Sequence, residues 1–301
     1  MIDYRTFVNN SRTWLNSYIQ DNNLKSLVIG ISGGIDSTIS AAIASEVCKA
    51  REIPLIGRSL PTTTNKIEES RIAFKVGEAF CTDFKTVNIS HECDYIINGL
   101  EVTEGEMTAL QKGNVKARYR MMYLRNLASI HKGVVLDNDN FTEWNLGFWT
   151  IGGDSPMDIN LGLHYLWKTE IYELADYLRK EYLNEYAITK DGYEFDKYLA
   201  INESIELTPT DGNGVSKSDC EQFGLDNYGQ VDDVLQTMYY STQISPDFRG
   251  FQENPIRELE YTRLIDSYNE QGVDKVMILH QNTEFKRKPS PVMPTRKELG
   301  I

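Results

Sequence analysis

The sequence predicts an α/β protein built on a doubly wound parallel sheet flanked by helices, with a helical C-terminal part. Three observations carry that expectation. Leu27-Val28-Ile29-Gly30 is a short apolar run that ends in a glycine-rich turn, and Ile39-Ser40-Ala41-Ala42-Ile43-Ala44 behind the turn reads as a buried helix. Apolar runs and helical patterns then alternate along the first half of the chain, which calls for crossover connections and therefore parallel strands. Residues 217–285 are mostly helical by periodicity.

Taken in order, Phe7, Val8, Trp14, Leu15, Tyr18 and Ile19 recur at helical spacing within residues 1–26, as in a packing helix ahead of the first strand. A helix over 38–50 follows the glycine turn. Ile53-Pro54-Leu55-Ile56-Gly57 is a second strand, stopped by Leu60-Pro61. Thr62-Thr63-Thr64-Asn65 supplies capping residues for a helix from Ile67 to Phe80, and Phe84 to Ile89 reads as a third strand. Lys112 to Met121 opens a long helix that reaches Ile130. Its Arg118 and Arg120 can reach an anion, although a cationic helix face is ordinarily just solvated. Val134-Val135-Leu136 is a strand ending in Asp137-Asn138-Asp139-Asn140, with Glu143 one helical turn later. An aromatic and glycine-rich loop runs from Gly147 to Asp154, and Lys168 to Ala175 is amphipathic. Residues 184–200, polar and tyrosine-rich, read as an insertion or a mobile loop. Pro209 to Gly214 is turn-rich, a break is expected near Ser245-Pro246, and Lys286-Arg287-Lys288-Pro289 is a basic cluster. The expected organisation is one domain over 1–301. A nucleotide-binding core occupies 27–180, with mobile loops and C-terminal helices over 181–301.

The 301 residues include 41% hydrophobic and 25% charged side chains, ordinary for a globular protein. A net charge of -13 argues against nucleic acid as the main partner, because phosphate contacts need surplus Lys and Arg. Cys48, Cys81, Cys93 and Cys220 form no CxxC pair, so zinc and redox readings have no support, and free thiols fit a reducing cytoplasm. No apolar run reaches membrane-spanning length. The four histidines show no metal-ligand spacing.

The chemistry concentrates at Gly30-Ile31-Ser32-Gly33-Gly34-Ile35-Asp36-Ser37. Two adjacent glycines let main-chain N–H groups converge on one anion, and the following helix adds its N-terminal dipole. Ser32, Ser37 and Thr38 add hydroxyls. Asp36 repels a bare phosphate but makes sense beside magnesium bridging to one. No lysine follows the second glycine, so this is not a Walker loop.

The turn resembles the SGGxDS loop of the ATP pyrophosphatase superfamily. Later stretches are similar to the NAD synthetases within it: Gly113-Asn114-Val115-Lys116-Ala117-Arg118-Tyr119-Arg120-Met121, Glu143 with Gly147-Phe148-Trp149-Thr150 and Gly153-Asp154, Asp158-Ile159-Asn160 with Lys168-Thr169, Pro209-Thr210-Asp211, and Thr283-Glu284-Phe285-Lys286-Arg287. The resemblance implies an adenine nucleotide alpha hydrolase-like fold and an ammonia-dependent enzyme. ATP and deamido-NAD would form an adenylated nicotinate carboxyl and pyrophosphate, and ammonia would then displace AMP. It further implies ATP contacts from Gly30 to Ser37, Lys168 and Thr210, deamido-NAD contacts from Arg118, Asp158 and Lys286, magnesium on Asp36 and Glu143, and a homodimer. A glutamine-hydrolysing domain is not expected, since 26 residues precede the first strand. Three positions depart from the pattern: Asp137-Asn138 replaces Gly-Thr, Ile151 replaces a lysine, and Phe285 replaces a histidine. The extra carboxylate of Asp137 would need a partner. The alternatives are another amide- or thiol-forming ligase with the same loop, or a nucleotide-binding relic without turnover.

Overall fold

A computed structural model of the chain describes residues 2–154, 157–189, 192–210, 218–243 and 258–287. The elements run α1 (Tyr4–Asp21), β1 (Ser26–Gly30), α2 (Ile35–Arg51), β2 (Leu55–Ser59), α3 (Ile67–Phe80), β3 (Asp83–Thr86), α4 (Ser90–Glu104) and α5 (Ala109–Ile130). They continue with β4 (Gly133–Asp137), α6 (Phe141–Leu146), β5 (Ile159–Asn160), α7 (Lys168–Thr189), α8 (Gly192–Glu206), α9 (Asp219–Phe223), α10 (Tyr228–Gln243), α11 (Glu258–Ser267) and α12 (Glu270–Asn282). Two compact units result: residues 1–141 with 149–222, and residues 142–148 with 223–301.

The first unit holds a parallel sheet in the order β3-β2-β1-β4-β5. The order reverses between β1 and β4, and the carboxyl ends of these two strands form the crevice where ligands sit in open α/β sheets. β1 is apolar without alternation because both its faces are covered. Leu27 and Ile29 belong to the core that includes Ile39, Ile43 and Ile72, whereas Val28 packs with Ile56, Leu124 and Val135. The doubly wound sheet anticipated from the sequence is therefore the observed one.

Residues 184–200 correct the sequence expectation. The described residues among them are helical: α7 runs on to Thr189 and α8 begins at Gly192. The apolar stripe is sparse, but Tyr182, Ala200 and Ile201 are buried in the core of the first unit. Part of the polar content is spent inside. Lys197 is buried, bonds Glu46 of α2 at 2.7 Å and Glu194 at 3.2 Å, and lies over the rings of Tyr182 and Tyr193. A paired, ring-covered ammonium lets a lysine occupy a helix interface that a pattern of apolar residues would otherwise announce. The core boundary expected at residue 180 falls inside α7, whose Ile171, Leu174 and Leu178 are fully buried. The first unit extends to Gln222. The chain break expected near Ser245-Pro246 lies outside the described residues.

In the second unit α10 and α12 present the buried Val231, Val234, Leu235, Val273 and Val276. Residues 142–148 are fastened to this unit by side chains. Thr142 donates to Asp232 at 2.5 Å, Thr283 donates to the Leu146 carbonyl at 3.1 Å, and Arg287 donates to the Asn145 carbonyl at 2.8 Å. The His280 ring Nδ1 lies 2.8 Å from the same Asn145 carbonyl, which suits a neutral ring with its proton on that nitrogen. Burial, with Arg287 beside it, lowers the His280 pKa to about 4. The unfolded chain binds a proton near the ordinary value of 6.5 while the folded one does not. Stability is therefore expected to fall as pH drops from 6.5 toward 4. The loss is on the order of 2–3 kcal/mol across that window. Thermal melts of wild type and His280→Gln at pH 7 and pH 5 test this, since the variant should lose less on acidification.

Candidate functional site

The glycine turn lies at the carboxyl end of β1. Gly33 has φ +90°, and a Cβ there would sit 2.5 Å from the Glu69 carbonyl oxygen and 3.0 Å from the Ala73 nitrogen, both main-chain atoms of α3. Only glycine allows that approach. Gly34 is the N-cap of α2 and makes no side-chain cap bond, so its missing side chain leaves the front of the helix open to an anion. The hydroxyls brace the turn. The Ser32 N–H donates to Ser37 Oγ at 3.3 Å, the Gly34 N–H donates to Ser32 Oγ at 3.1 Å, and Thr38 donates to the Gly34 carbonyl at 2.9 Å. Ile31 donates its N–H to the Arg58 carbonyl of β2 at 2.9 Å, which ties the turn to the sheet.

Asp36, in the first turn of α2, is held from two sides. Lys168, at the start of α7 and 3% exposed, donates to Oδ2 at 2.5 Å, and the fully buried Asn140 donates to Oδ1 at 2.8 Å. Asn140 was not picked out from the sequence. Its signal was a polar residue just past the end of a central strand, where a parallel sheet puts its ligand crevice. Thr210 donates to Glu69 Oε1, so it joins α3 beside the glycine turn. Glu69 also accepts from the Asn65 amide and the Lys66 N–H, each at 3.1 Å. Glu69 is three residues after the N-cap Lys66, a capping-box spacing that marks the helix start without revealing the tie to Thr210.

The expected deamido-NAD contacts are more dispersed. Arg118 is exposed, with Nε donating to the Ile151 carbonyl at 3.2 Å. Asp158 accepts from the Val135 N–H at 2.9 Å and lies 3.4 Å from Arg125. Lys286 belongs to the second unit and donates to the Gly147 carbonyl at 2.6 Å. Glu143 is also in the second unit, half-buried on α6. Asp137 has the partners its charge requires: its carboxylate accepts from the Asp139 N–H at 2.8 Å and the Met157 N–H at 3.1 Å. Asn138 donates to the Gly30 carbonyl at 3.3 Å. The Asp137-Asn138 departure thus braces β4 against its own turn and against β1. Asp211 and Lys288 lie outside the described residues.

A family model described as NAD synthase matches residues 7–290. The chain belongs to the NAD synthase family. The NH(3)-dependent NAD(+) synthetase of Thermoplasma volcanium is 28% identical over 253 residues, 83% of this chain and 91% of that protein. The enzyme of the same description from Pyrococcus furiosus is 27% identical over 291 residues, 96% and 95% of the two chains. Among solved structures, an NMN synthetase from Francisella tularensis superposes with TM-score 0.72 at 22% identity, covering 98% of this chain and 100% of that one. An NH3-dependent NAD synthetase from Campylobacter jejuni gives 0.67 at 18%, covering 98% and 100%. These structural likenesses establish the NAD synthase fold for the sheet and its helices.

Proposed function

We propose that this chain joins ammonia to the nicotinate carboxyl of deamido-NAD at the expense of ATP, giving NAD, AMP and pyrophosphate. The observation that carries it is Asp36, fixed by Lys168 and Asn140 at the mouth of an anion-receiving glycine turn, in a chain of this family. The turn and the α2 N-terminus bind ATP phosphates. A nicotinate oxygen attacks the α-phosphorus, and the bond to the bridging oxygen of pyrophosphate breaks. Ammonia then attacks the carboxyl carbon, AMP leaves with the C–O bonding pair, and a proton is lost from nitrogen. A carboxylate becomes electrophilic only once it carries such a leaving group, so the protein's contribution is to hold two anionic nucleotides in reactive geometry.

We infer that the cation this chemistry uses is magnesium. One or two carboxylates beside phosphate oxygens are what that ion prefers, and Asp36 and Glu143 would hold it. Bound there, it would neutralise phosphate charge. Lys168 fixes the Asp36 carboxylate and stands where ATP phosphates arrive. Arg118, Asp158 and Lys286 would contact deamido-NAD, and Thr210 would contact ATP.

Incubation with deamido-NAD, ATP, magnesium and ammonium should give NAD and AMP in equal amounts. ADP in place of AMP, or no turnover, would sink the proposal. A parallel reaction scored for NMN tests whether the smaller nucleotide is preferred. Ile151 is 46% exposed where the family pattern has lysine. Ile151→Lys should lower the Michaelis constant for deamido-NAD by about two- to fivefold, as an exposed ion pair contributes about 0.2–1 kcal/mol. An unchanged constant would assign that charge to another residue.

We also infer a homodimer of a chain that works in the cytoplasm. Trp14 of α1 is 46% exposed and stacks on Tyr18, and α4 and α5 expose Tyr95, Val102, Leu110 and Met122. The dimer is inferred from the resemblance to the NAD synthetases, and these exposed side chains are candidates for the surface it would cover. A light-scattering mass of one chain at micromolar concentration would refute the dimer. Among the described residues no helix is long and apolar enough to cross a membrane.

A further inference from the structure

We propose that Arg120, with Lys116 one helical turn before it, forms a second phosphate-binding subsite, between α5 and the loop after β2. The assignment rests on the reading above that the site takes nucleotides, and it adds a residue that reading did not use.

Arg118 and Arg120 are two positions apart, so α5 sends them in different directions. Arg118 faces outward to the loop at Ile151. Arg120 and Lys116, four residues apart, share the other face and meet the loop over residues 60–65. Lys116 is 6% exposed and donates to Thr64 Oγ1 at 2.9 Å. Arg120 Nε donates to the Leu60 carbonyl at 3.1 Å, and Nη2 donates to Asn65 Oδ1 at 3.2 Å.

Every one of these acceptors is neutral. Among the described residues no carboxylate pairs with Arg120. Glu69 and Asp154 act on it through space, but Glu69 is engaged with Asn65, Lys66 and Thr210, and Asp154 accepts from the Thr150 N–H. Burial costs the guanidinium enough to lower its pKa. Arg120 is half-buried, and a cation that is partly withdrawn from water against neutral acceptors carries a penalty that an arriving anion would offset. A guanidinium presents five N–H donors in a fork matched to phosphate oxygens, and two neutral bonds leave Nη1 for a ligand. The place suits phosphate too. The loop follows the carboxyl end of β2, next to β1, and Asn65 and Glu69 link it to α3 at the point where Gly33 packs.

The phosphate belongs either to ATP or to the nicotinate nucleotide, and the two sources separate by titration. Equilibrium binding of a non-hydrolysable ATP analogue and of deamido-NAD would be measured calorimetrically, each alone, on wild type, Arg120→Gln and Arg120→Lys. The surface variant Arg71→Gln controls for general charge. Arg120→Gln should weaken one of the two ligands by roughly 10- to 100-fold, the usual range for a charge-assisted bond, and leave the other within about threefold. Arg120→Lys should recover part of the loss. Asn65→Ala, which removes an acceptor but keeps the charge, should bind that ligand nearly as wild type does. It also carries the test if Arg120→Gln does not fold. Unchanged affinity for both ligands in Arg120→Gln, or a tenfold loss in Asn65→Ala with Arg120 intact, would overturn the subsite and leave Arg120 as a loop clamp. Wild type that binds neither ligand would overturn the nucleotide reading itself.

Discussion

Gly33→Ala should cost the protein both stability and nearly all pyrophosphate-forming activity. The φ of +90° is open to glycine and strained for alanine, at about 1–2 kcal/mol. The new methyl would also press within 2.5 Å of the Glu69 carbonyl oxygen and 3.0 Å of the Ala73 nitrogen. Neither is the end of a flexible side chain, so α3 or the turn itself has to move. Phosphate cradles tolerate little movement, since a misplacement of about 1 Å can cost about 10²-fold in rate. The neighbouring Gly34→Ala supplies the contrast. Gly34 has φ -70°, and the atom nearest an added Cβ is the Ser32 hydroxyl at 3.3 Å, which can turn aside. The expected pair of results is a melting point several degrees lower and a rate down by about 10²-fold or more for Gly33→Ala, with much milder effects for Gly34→Ala. Equal activity in the two variants would show that the turn does not hold phosphate.

Legibility of the fold followed burial. β1 is covered on both faces, and its unbroken Leu27-Val28-Ile29 run could be read directly, as could the α3 limits at Ile67 and Phe80. The helices that stayed hidden spend their polar residues in ways that periodicity does not score. α8 buries Lys197 against Glu46 and Glu194. α4 buries only Cys93 and Ile97 while exposing Tyr95, Ile96 and Val102, so it lacks a clear apolar stripe. The site divides in the same way. The glycine turn and Asp36 form one contiguous stretch, and local chemistry was enough to find them. Asn140, Glu69 and Arg120 act through partners 55 to 141 positions away in sequence, and spacing along one chain carries no such information. Glu69 is the plainest case: its position in α3 predicts a cap, while its bond to Thr210 appears only after folding.

Asp36→Asn and Glu143→Gln should each remove most of the adenylation rate, by about 10²-fold or more, and the double variant should be little worse than either. That non-additivity is what two ligands of one ion produce, because losing one already disables the unit. The two variants should differ in stability. Asp36 bonds the buried Lys168, and taking a partner from a buried pair costs about 3–5 kcal/mol at the upper end, so Asp36→Asn should melt earlier. Its side chain is 15% exposed, which moderates the loss. Rates therefore need to be taken well below the melting transition. The competing account gives Asp36 only a dipole-complementing role at the helix start, worth about 0.3–1 kcal/mol, and leaves Glu143 a solvated acid. Under it both variants keep turnover. A second readout needs no turnover at all. With a non-hydrolysable ATP analogue present, magnesium should raise the wild-type melting point, because a ligand that binds only the folded state stabilises it by mass action. Each variant should need a much higher magnesium concentration for the same rise. Near wild-type AMP production at saturating magnesium, together with an unshifted magnesium titration, would remove both carboxylates from the metal site.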